Sequence, residues 1–388
     1  MLLSEYITQN QTIPTASNAF SEYINQRPFA TSAPGATEDM PISGKLGLCG
    51  QAMKKDQFKH VNSKQVSWWY NYYTWIPEDD QITWANENGI QFAPMLGYHK
   101  VKTEGWKSCE MGGKDYKGNP ATKCTVEGFV QQLKDTQAKL DVPMEYLLGF
   151  NEPWDGNKAL PEKYVWPHDA AKYWGEYYIP TAKELGLKLV SPSSIMVKYK
   201  AQWMIDFFKA CWELKDAETG ACDVTSVEVF AMHHYTCYYK DYLNMYDVES
   251  TAKTSYYQYL IDGLTDPTWE GSTQFDWDTF IRGIPIWFTE TSCESEHWPD
   301  KVSNVDQCKR ITGQETTGKW GPGSIEALKE LDNVHRIAWF VAYSTVKDFG
   351  DTVMFDTDGE LLPVARAIFN DLDPTKADCD AEPTELHI

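Results

Sequence analysis

The sequence lacks the short motifs that mark nucleotide, metal and serine-hydrolase chemistry. It holds no P-loop and no G-x-S-x-G turn of the kind that carries the serine of α/β hydrolases. A glycine-rich segment at 44–50 falls within a predicted strand, whereas a dinucleotide-binding turn joins a strand to a helix. None of the nine cysteines forms a C-x-x-C pair, so the spacing of zinc knuckles and thioredoxin-like redox sites is missing too.

Positive charge is scarce and long apolar runs are absent. The chain has 35 Lys and Arg against 56 Asp and Glu, a formal net charge of −21, which repels phosphate backbones and anionic lipids. No run reaches the roughly 18 apolar residues of a membrane span, and the first residues lack the basic start and apolar stretch of a secretion signal. We therefore expect no nucleic-acid or membrane role and no uncleaved signal.

What the chain does contain is ample material for a core, since 42% of its 388 residues are hydrophobic and 14% are aromatic. Such a composition is typical of a globular protein. Three cysteine pairs lie close in sequence beside polar loops, Cys109/Cys124, Cys211/Cys222 and Cys293/Cys308, and we predict that at least two of them are disulfide-bonded. Disulfides would indicate an oxidising, extracellular location, with which the sequon at Asn10 is compatible; buried reduced thiols are the alternative.

Short apolar runs alternate with amphipathic stretches along most of the chain. Residues 1–42 are rich in Ser, Thr, Pro, Ala and Gly and are interpreted as an N-terminal arm, and 376–388 as a C-terminal tail. Between them, most of the apolar runs lack polar alternation, as parallel strands covered on both faces do. Eight strands are predicted, at 45–50, 66–72, 91–96, 146–151, 188–192, 227–233, 284–290 and 337–343. Helices are predicted at 80–88, 125–140, 168–185, 200–214, near 251–264, 323–331 and 363–369. This α/β alternation predicts a single-domain (β/α)8 TIM barrel over 43–375, with an open doubly wound sheet as the alternative.

Two carboxylates stand where predicted strands end, which is where barrels carry their catalytic groups. Glu152 follows the fourth strand and precedes Pro153, and Glu290 ends the seventh. Strands four and seven of a closed barrel let these side chains face each other across its mouth, as two carboxylates must to flank a glycosidic bond. A lone glutamate at a strand end can equally be a simple acceptor for loop amides.

The segments around these glutamates resemble a known enzyme family. Asn-Glu-Pro-Trp at 151–154 and Trp-Phe-Thr-Glu-Thr at 287–291 are similar to the acid/base and nucleophile strands of clan A glycoside hydrolases. Ser-Trp-Trp-Tyr-Asn at 67–71, Phe-Ala-Pro-Met-Leu at 92–96, Ser-Pro at 191–192 and His-His-Tyr at 233–235 narrow the resemblance to glycoside hydrolase family 128 over residues 43–370. The resemblance implies a retaining endo-β-1,3-glucanase, with Glu152 as acid/base and Glu290 as nucleophile. The second histidine, His234, and the loop at 100–123 depart from the family pattern.

Further roles are expected around this pair. Asn151 would bond the sugar 2-hydroxyl. Tyr235 would donate a hydrogen bond to Glu290, with His233 and Asn71 lining the same rim. Flat apolar sugar faces stack on indoles, so Trp69, Trp154, Trp298 and Trp339 are candidate platforms, Trp154 and Trp339 foremost. The two adjacent histidines are alternatively core imidazoles or metal ligands, but no further ligand stands at the usual sequence spacing, and we predict no metal.

The expected protein is therefore a secreted, monomeric hydrolase that acts on β-1,3-glucan without a cofactor. A clan A hydrolase or transglycosylase for another β-glycan is one alternative. A non-catalytic β-glucan-binding protein is the other, although loss of catalysis normally removes one of the two carboxylates and both are present here.

Overall fold

The computed structural model describes most of the chain from residue 44 onward. The described residues are 44–50, 57, 60–98, 100–102, 108–115, 117–154, 164–195, 198–235, 239–252, 254–293, 302–314, 325, 328, 330–342, 352–356, 358–369 and 378–380. The expected N-terminal arm at 1–42, most of the expected tail and Trp298 lie outside these residues.

Each of the eight predicted apolar runs overlaps a strand of one parallel sheet. These strands are β1 (Leu46–Cys49), β2 (Trp68–Tyr70), β3 (Gln91–Phe92), β6 (Tyr146–Leu148), β7 (Lys188–Val190), β9 (Val227–His234), β10 (Ile286–Thr291) and β11 (Val334–Trp339). The other strands are the antiparallel pair β4 (Lys100–Lys102) and β5 (Ser108–Glu110), and β8 (Ser194–Ile195), which pairs with β9. Buried residues on both faces of the eight account for their unbroken apolar sequences.

The order of the strands runs around the sheet in one direction. It reads β3-β2-β1-β11-β10-β9-β7-β6, and every neighbouring pair is parallel. An open doubly wound sheet would reverse its order at a switch point, and this one does not. The sheet is curled: beyond β3, the Leu148 N–H donates to the Pro94 carbonyl (2.9 Å) and the Leu96 N–H to the Leu148 carbonyl (3.0 Å).

Helices follow the strands, and most lie close to their predicted places, but the sequence interpretation gave no helix at 239–246, 277–282 or 304–311. They are α1 (Asp79–Asn88), α2 (Val126–Gln137), α3 (Pro167–Tyr173), α4 (Ile179–Leu185), α5 (Lys198–Glu213), α6 (Tyr239–Tyr246), α7 (Tyr256–Leu264), α8 (Trp277–Arg282), α9 (Asn304–Ile311) and α10 (Pro363–Phe369). The helix predicted at 168–185 is divided by a π-helical turn, Trp174–Tyr178, because Pro180 has no N–H to donate one turn back. The helix predicted at 323–331 lies largely outside the described residues.

The core has two layers, one between sheet and helices and one inside the curled sheet. Alternation along β2 sends Trp68 and Tyr70 to the inner layer and Trp69 to the outer one. Gly47 on the neighbouring strand leaves room for Trp68, since a Cβ at Gly47 would lie 2.2 Å from the indole. The inner layer supports the end of the sheet where the strands terminate.

The prediction that at least two of the three cysteine pairs are bonded is confirmed by Cys109–Cys124 and Cys211–Cys222. The third candidate pair, Cys293/Cys308, is not formed. Cys308 lies on the buried side of α9 and bonds Cys379, 71 residues away in sequence, while Cys293 is disulfide-bonded elsewhere. Lys309 of the same helix pairs with Asp380 at 2.7 Å, so 378–380 is fastened to α9 by two contacts. Within the described residues, no helix is long and apolar enough to cross a membrane.

Candidate active site

Two carboxylates and one imidazole meet at the carboxyl ends of β6, β9 and β10. Glu152 follows β6, His233 lies near the end of β9 and Glu290 lies on β10. Parallel strands present their carboxyl ends at one edge of a sheet, so residues distant in sequence converge there. One oxygen of each carboxylate and one ring nitrogen of His233 lie within 4.8 Å of one another.

Glu290 is enclosed by hydrogen-bond donors. Its side chain is 4% exposed; the Tyr72 phenol donates to Oε1 at 2.7 Å, and the Tyr235 phenol donates to Oε2. His233 Nδ1 lies 3.4 Å from Oε2. Burial raises the pKa of Glu290, His233 lowers it, the neighbouring Glu152 raises it further, and the two phenols lower it. His233 and the two phenols thus offset part of the free-energy cost of burying the ionised Glu290 carboxylate.

Glu152 occupies a more open position and an unusual backbone conformation. Its side chain is 15% exposed, and Oε1 lies 2.8 Å from His233 Nδ1. Its φ is +47°, a left-handed value that costs energy for a residue with a Cβ. The Glu152 N–H donates to Ser193 Oγ at 2.7 Å, and the Ser193 N–H donates to the Phe150 carbonyl at 2.8 Å. These bonds hold the turn that directs the carboxylate over the end of the sheet.

Asn151, the residue before Glu152, is buried. Its N–H donates to the Gly97 carbonyl at 2.7 Å, and its side chain hydrogen-bonds the phenol of the partly buried Tyr98. Asn151 Oδ1 is buried and has no hydrogen-bond partner. An unfilled buried acceptor is costly unless a ligand hydroxyl completes it.

Trp154 is the one described indole of the expected platforms that keeps a partly exposed position. Its ring packs on the outer core layer and carries Lys200 Nζ at 3.8 Å from the ring centroid. The indole Nε1 is buried without a hydrogen-bond partner. Only the ring face away from Lys200 is left for a sugar.

Trp69, Trp339 and Asn71 are not brought to the carboxylates. Trp69 is fully buried in the outer core layer, with its ring centroid 4.8 Å from that of Phe92. Trp339, equally buried, donates its indole N–H to the Thr352 carbonyl at 2.9 Å. The Asn71 amide closes the turn after β2 by bonding the Trp75 carbonyl and the Tyr73 N–H. Full burial corrects the expectation that either indole is a sugar platform. The Asn71 amide is engaged in the turn, and its expected place at the rim stays a prediction.

Four residues of the site escaped the sequence interpretation: Cys49, Tyr72, Tyr98 and Ser193. Tyr72 bonds Glu290 directly, and Cys49 Sγ lies 2.7 Å from the Tyr72 hydroxyl. Period-two alternation offered a signal for Tyr72, since it shares the parity of the inward-facing Trp68 and Tyr70. No sequence pattern indicates that Cys49 contacts Tyr72 or that Ser193 contacts Glu152, since both contacts depend on the fold.

The same three groups offer the right atom types for a metal ion, which sequence spacing did not suggest. His233 Nδ1 is already in hydrogen-bond contact with Glu152, and two phenol hydrogens point at Glu290. These hydrogen bonds engage some of the lone pairs that a cation would otherwise use.

The comparisons with known proteins agree with this geometry. A family model described as "Glycosyl hydrolase catalytic core" matches residues 47–269, more than half of the chain. Among solved structures, a GH128 (subgroup II) endo-β-1,3-glucanase from Sorangium cellulosum is similar, with 20% identity, a TM-score of 0.50, and coverage of 84% of this chain and 97% of that one. A GH128 (subgroup II) endo-β-1,3-glucanase from Pseudomonas viridiflava is similar to the same extent, with 18% identity, a TM-score of 0.50 and the same coverage.

At these identities the two structures establish the likeness of the fold. No curated protein sequence matches the chain. The family model describes a glycosyl hydrolase, and two carboxylates close together at the strand ends are the groups that such an enzyme needs. This chain belongs to the glycosyl hydrolase catalytic core family.

Proposed function

We propose that the chain is a retaining endo-β-1,3-glucanase of glycoside hydrolase family 128, built on a closed (β/α)8 barrel, with Glu152 as acid/base and Glu290 as nucleophile. The observation that carries this proposal is the closeness of the two carboxylates, whose nearest oxygens lie within 4.8 Å of each other and of His233. Retaining glycosidases hold their carboxyl groups about 5–5.5 Å apart, and inverting ones about 6.5–9.5 Å. The closeness of the two carboxylates supports the retaining mechanism.

The division of roles follows from the surroundings of each glutamate. Glu290 receives two phenol hydrogen bonds, which stabilise the carboxylate that must attack. Glu152 is the more exposed of the two and so is better placed to exchange protons with a leaving group and with water. His233 contacts both carboxylates and fixes their positions relative to each other.

Two displacements complete the reaction. A Glu290 oxygen bonds to the anomeric carbon while the glycosidic bond breaks, and the Glu152 proton passes to the departing oxygen. Water then attacks the anomeric carbon, Glu152 takes its proton, and the ester bond to Glu290 breaks. Asn151, whose Oδ1 lacks a partner, would bond the sugar 2-hydroxyl, a contact that strengthens in the transition state. No metal or other cofactor enters this scheme.

Azide rescue tests the two roles. Glu152→Ala and Glu290→Ala should each lower hydrolysis by several orders of magnitude with the fold intact, because both groups act mainly in the transition state. With a substrate whose leaving group needs no proton, azide should restore turnover of Glu152→Ala and give a β-glycosyl azide. It should give the α-azide with Glu290→Ala. Glu184→Ala, which removes an exposed glutamate paired with Lys134, is the matched control and should keep full activity. The same anomer from both variants would overturn the assignment.

The substrate is proposed to be β-1,3-glucan, cleaved within the chain. Laminarin, cellulose and mannan would be compared, and mixed laminari-oligosaccharides as early products would distinguish internal cleavage from release of glucose at chain ends. Turnover of cellulose or mannan alone, or net transglycosylation, would favour the other clan A activities. Binding without turnover would favour a β-glucan-binding protein.

Trp154 is proposed as a sugar contact through the face away from Lys200. If Trp154 only stacks on a sugar, Trp154→Ala should raise KM at nearly constant kcat. If the indole also shields Glu152 from water, the same variant should lower kcat as well. Wild-type kcat, KM and pH dependence in this variant would show that the indole does not touch substrate.

The proposed setting is extracellular, and the proposed protein is a monomer. The three disulfides seen among the described residues fit an oxidising compartment. A net charge of −21 suits a neutral polysaccharide better than a nucleic acid or an anionic membrane.

A further inference from the structure

A line of buried hydrogen-bonding groups leads from the end of β1 to the nucleophile. Cys49 Sγ lies 2.7 Å from the Tyr72 hydroxyl, and that hydroxyl lies 2.7 Å from Glu290 Oε1. Cys49 is fully buried and is the free cysteine of the described part of the chain. A phenol carries one hydrogen, and Tyr72 gives it to Glu290, so any hydrogen in the contact between Cys49 and Tyr72 comes from the thiol, which also contacts the Tyr70 hydroxyl.

The backbone at Tyr72 is shaped for this contact. Its φ is +65°, a left-handed value in which a bulky residue is strained. The conformation comes two residues beyond the end of β2 and lets the ring lie edge-on to Tyr70, 5.0 Å between centroids, with its hydroxyl at Glu290. Strain of this kind persists only where surrounding contacts hold it, and it is concentrated at functional sites.

We infer that Cys49 and Tyr72 form a donor chain that positions Glu290 and holds it in its ionised, attacking form. The inference deepens the proposed function and rests on Glu290 being the nucleophile. Tyr72 acts on the carboxylate directly, and Cys49 acts through Tyr72, both as positioning residues. The thiol gives up its hydrogen to the phenol oxygen, which makes the phenol a stronger donor to Glu290 Oε1, since hydrogen bonds in a chain polarise one another.

The Cys49 thiol keeps its hydrogen and can therefore donate it at every relevant pH. Burial, with Glu290 nearby, holds the pKa of Cys49 well above its ordinary value, so the hydrogen stays on sulfur across the working pH range. Burial likewise raises the pKa of Tyr72. Neither group titrates where Glu290 does, and the chain therefore biases Glu290 in one direction at every relevant pH.

Several other groups face Glu290 and have to be held constant in a test. They are Glu152, His233, Tyr235, Tyr98, Tyr70 and the two members of the chain themselves. Tyr235 bonds the opposite carboxylate oxygen, Oε2, while Tyr72 bonds Oε1. Removing the Tyr72 hydroxyl thus removes the hydrogen bond to Oε1 and leaves the Tyr235 hydrogen bond to Oε2.

The pH dependence of kcat/KM on laminarin tests the chain. In Tyr72→Phe the acid limb, which reports ionisation of the nucleophile, should move to higher pH by about one unit, because a lost donor disfavours the carboxylate. Cys49→Ala should move it in the same direction by less, and Cys49→Ser, which restores a hydrogen donor, should move it back toward the wild-type value. Tyr257→Phe is the matched control, since it removes a buried phenol that donates to the Ile284 carbonyl outside the site, and its acid limb should stay in place.

Failure of the proposed function and failure of the donor chain give different results in this experiment. A wild-type protein without turnover overturns the proposed function and this inference with it. An active Tyr72→Phe variant whose acid limb matches that of the wild type overturns the inference alone. Should Tyr72→Phe fail to fold, judged by its Tm, the Cys49 variants decide: equal limbs in Cys49→Ala, Cys49→Ser and wild type refute the chain.

Discussion

The separation of the two carboxylates predicts the shape of the pH–rate profile. One oxygen of each carboxylate lies within 4.8 Å of the other, and two unit charges at about that distance repel by about 3.5 kcal/mol at an effective dielectric constant of about 20. At about 1.4 kcal/mol per pKa unit, this repulsion separates the two ionisation steps of the Glu152–Glu290 pair by about 2.5 pH units or more. Across that interval the pair carries one proton, which is the state that a retaining mechanism needs.

The wild-type profile of kcat/KM should therefore be bell-shaped, with limbs at least about 2.5 pH units apart and an optimum on the acid side of neutrality. The perturbation is Glu152→Gln, assayed with an aryl β-glucoside whose leaving group departs without a proton. The amide imitates the protonated acid, so the basic limb should disappear while the acid limb stays near its wild-type position. Glu184→Gln, an exposed site, should keep the whole bell.

Three results would refute this reasoning. Limbs less than about one pH unit apart would mean that the carboxylates do not interact as their closeness requires. An optimum well above about pH 8 would exclude a glutamate as the acid. A basic limb that survives in Glu152→Gln would assign the acid to another residue.

Other outcomes follow from burial and connectivity. Burial raises the pKa of Glu290 in the folded state, so this group contributes less stability as pH rises through its ordinary value; Glu290→Gln should raise Tm at pH 7, and the gain should shrink toward pH 4. Trp69→Ala should lower the free energy of unfolding by about 3–5 kcal/mol, measured by denaturant titration, with kcat/KM per folded molecule unchanged, because the indole is core. Opening the Cys308–Cys379 disulfide with paired serines should cost about 4 kcal/mol, against about 3 kcal/mol for the 11-residue Cys211–Cys222 loop, since the 71-residue loop restricts the unfolded chain more. Equal losses for the two loops would contradict the loop-length argument.

The strand pattern was predictable because it depends on local composition. A parallel strand buried on both faces needs an unbroken apolar run, and all eight runs proved to overlap strands of the sheet. The position of the two glutamates followed from the same pattern, since a carboxylate directly after such a run must lie at the end of a strand. Sequence also supplied the two disulfides that close short loops, for which neighbours along the chain are neighbours in space.

The side-chain environment was less predictable because it depends on which face each residue occupies. Trp69 and Tyr72 belong to one aromatic segment, yet Trp69 points to the outer core and Tyr72 to Glu290. An odd–even shift, and not residue type, separates a core indole from a residue of the site.

What the sequence by itself determined is the set of elements and the two carboxylates at strand ends, because periodicity and strand termination are properties of neighbours along the chain. Only the tertiary structure decided that His233 lies between Glu152 and Glu290, that Cys49 and Tyr72 stand behind Glu290, and that Cys308 bonds Cys379. The longest of those contacts, from Tyr72 to Glu290, joins residues 218 positions apart. They arise from the curl of the sheet, which brings the ends of β1, β6, β9 and β10 to one edge, and no local pattern records which side chains will then touch.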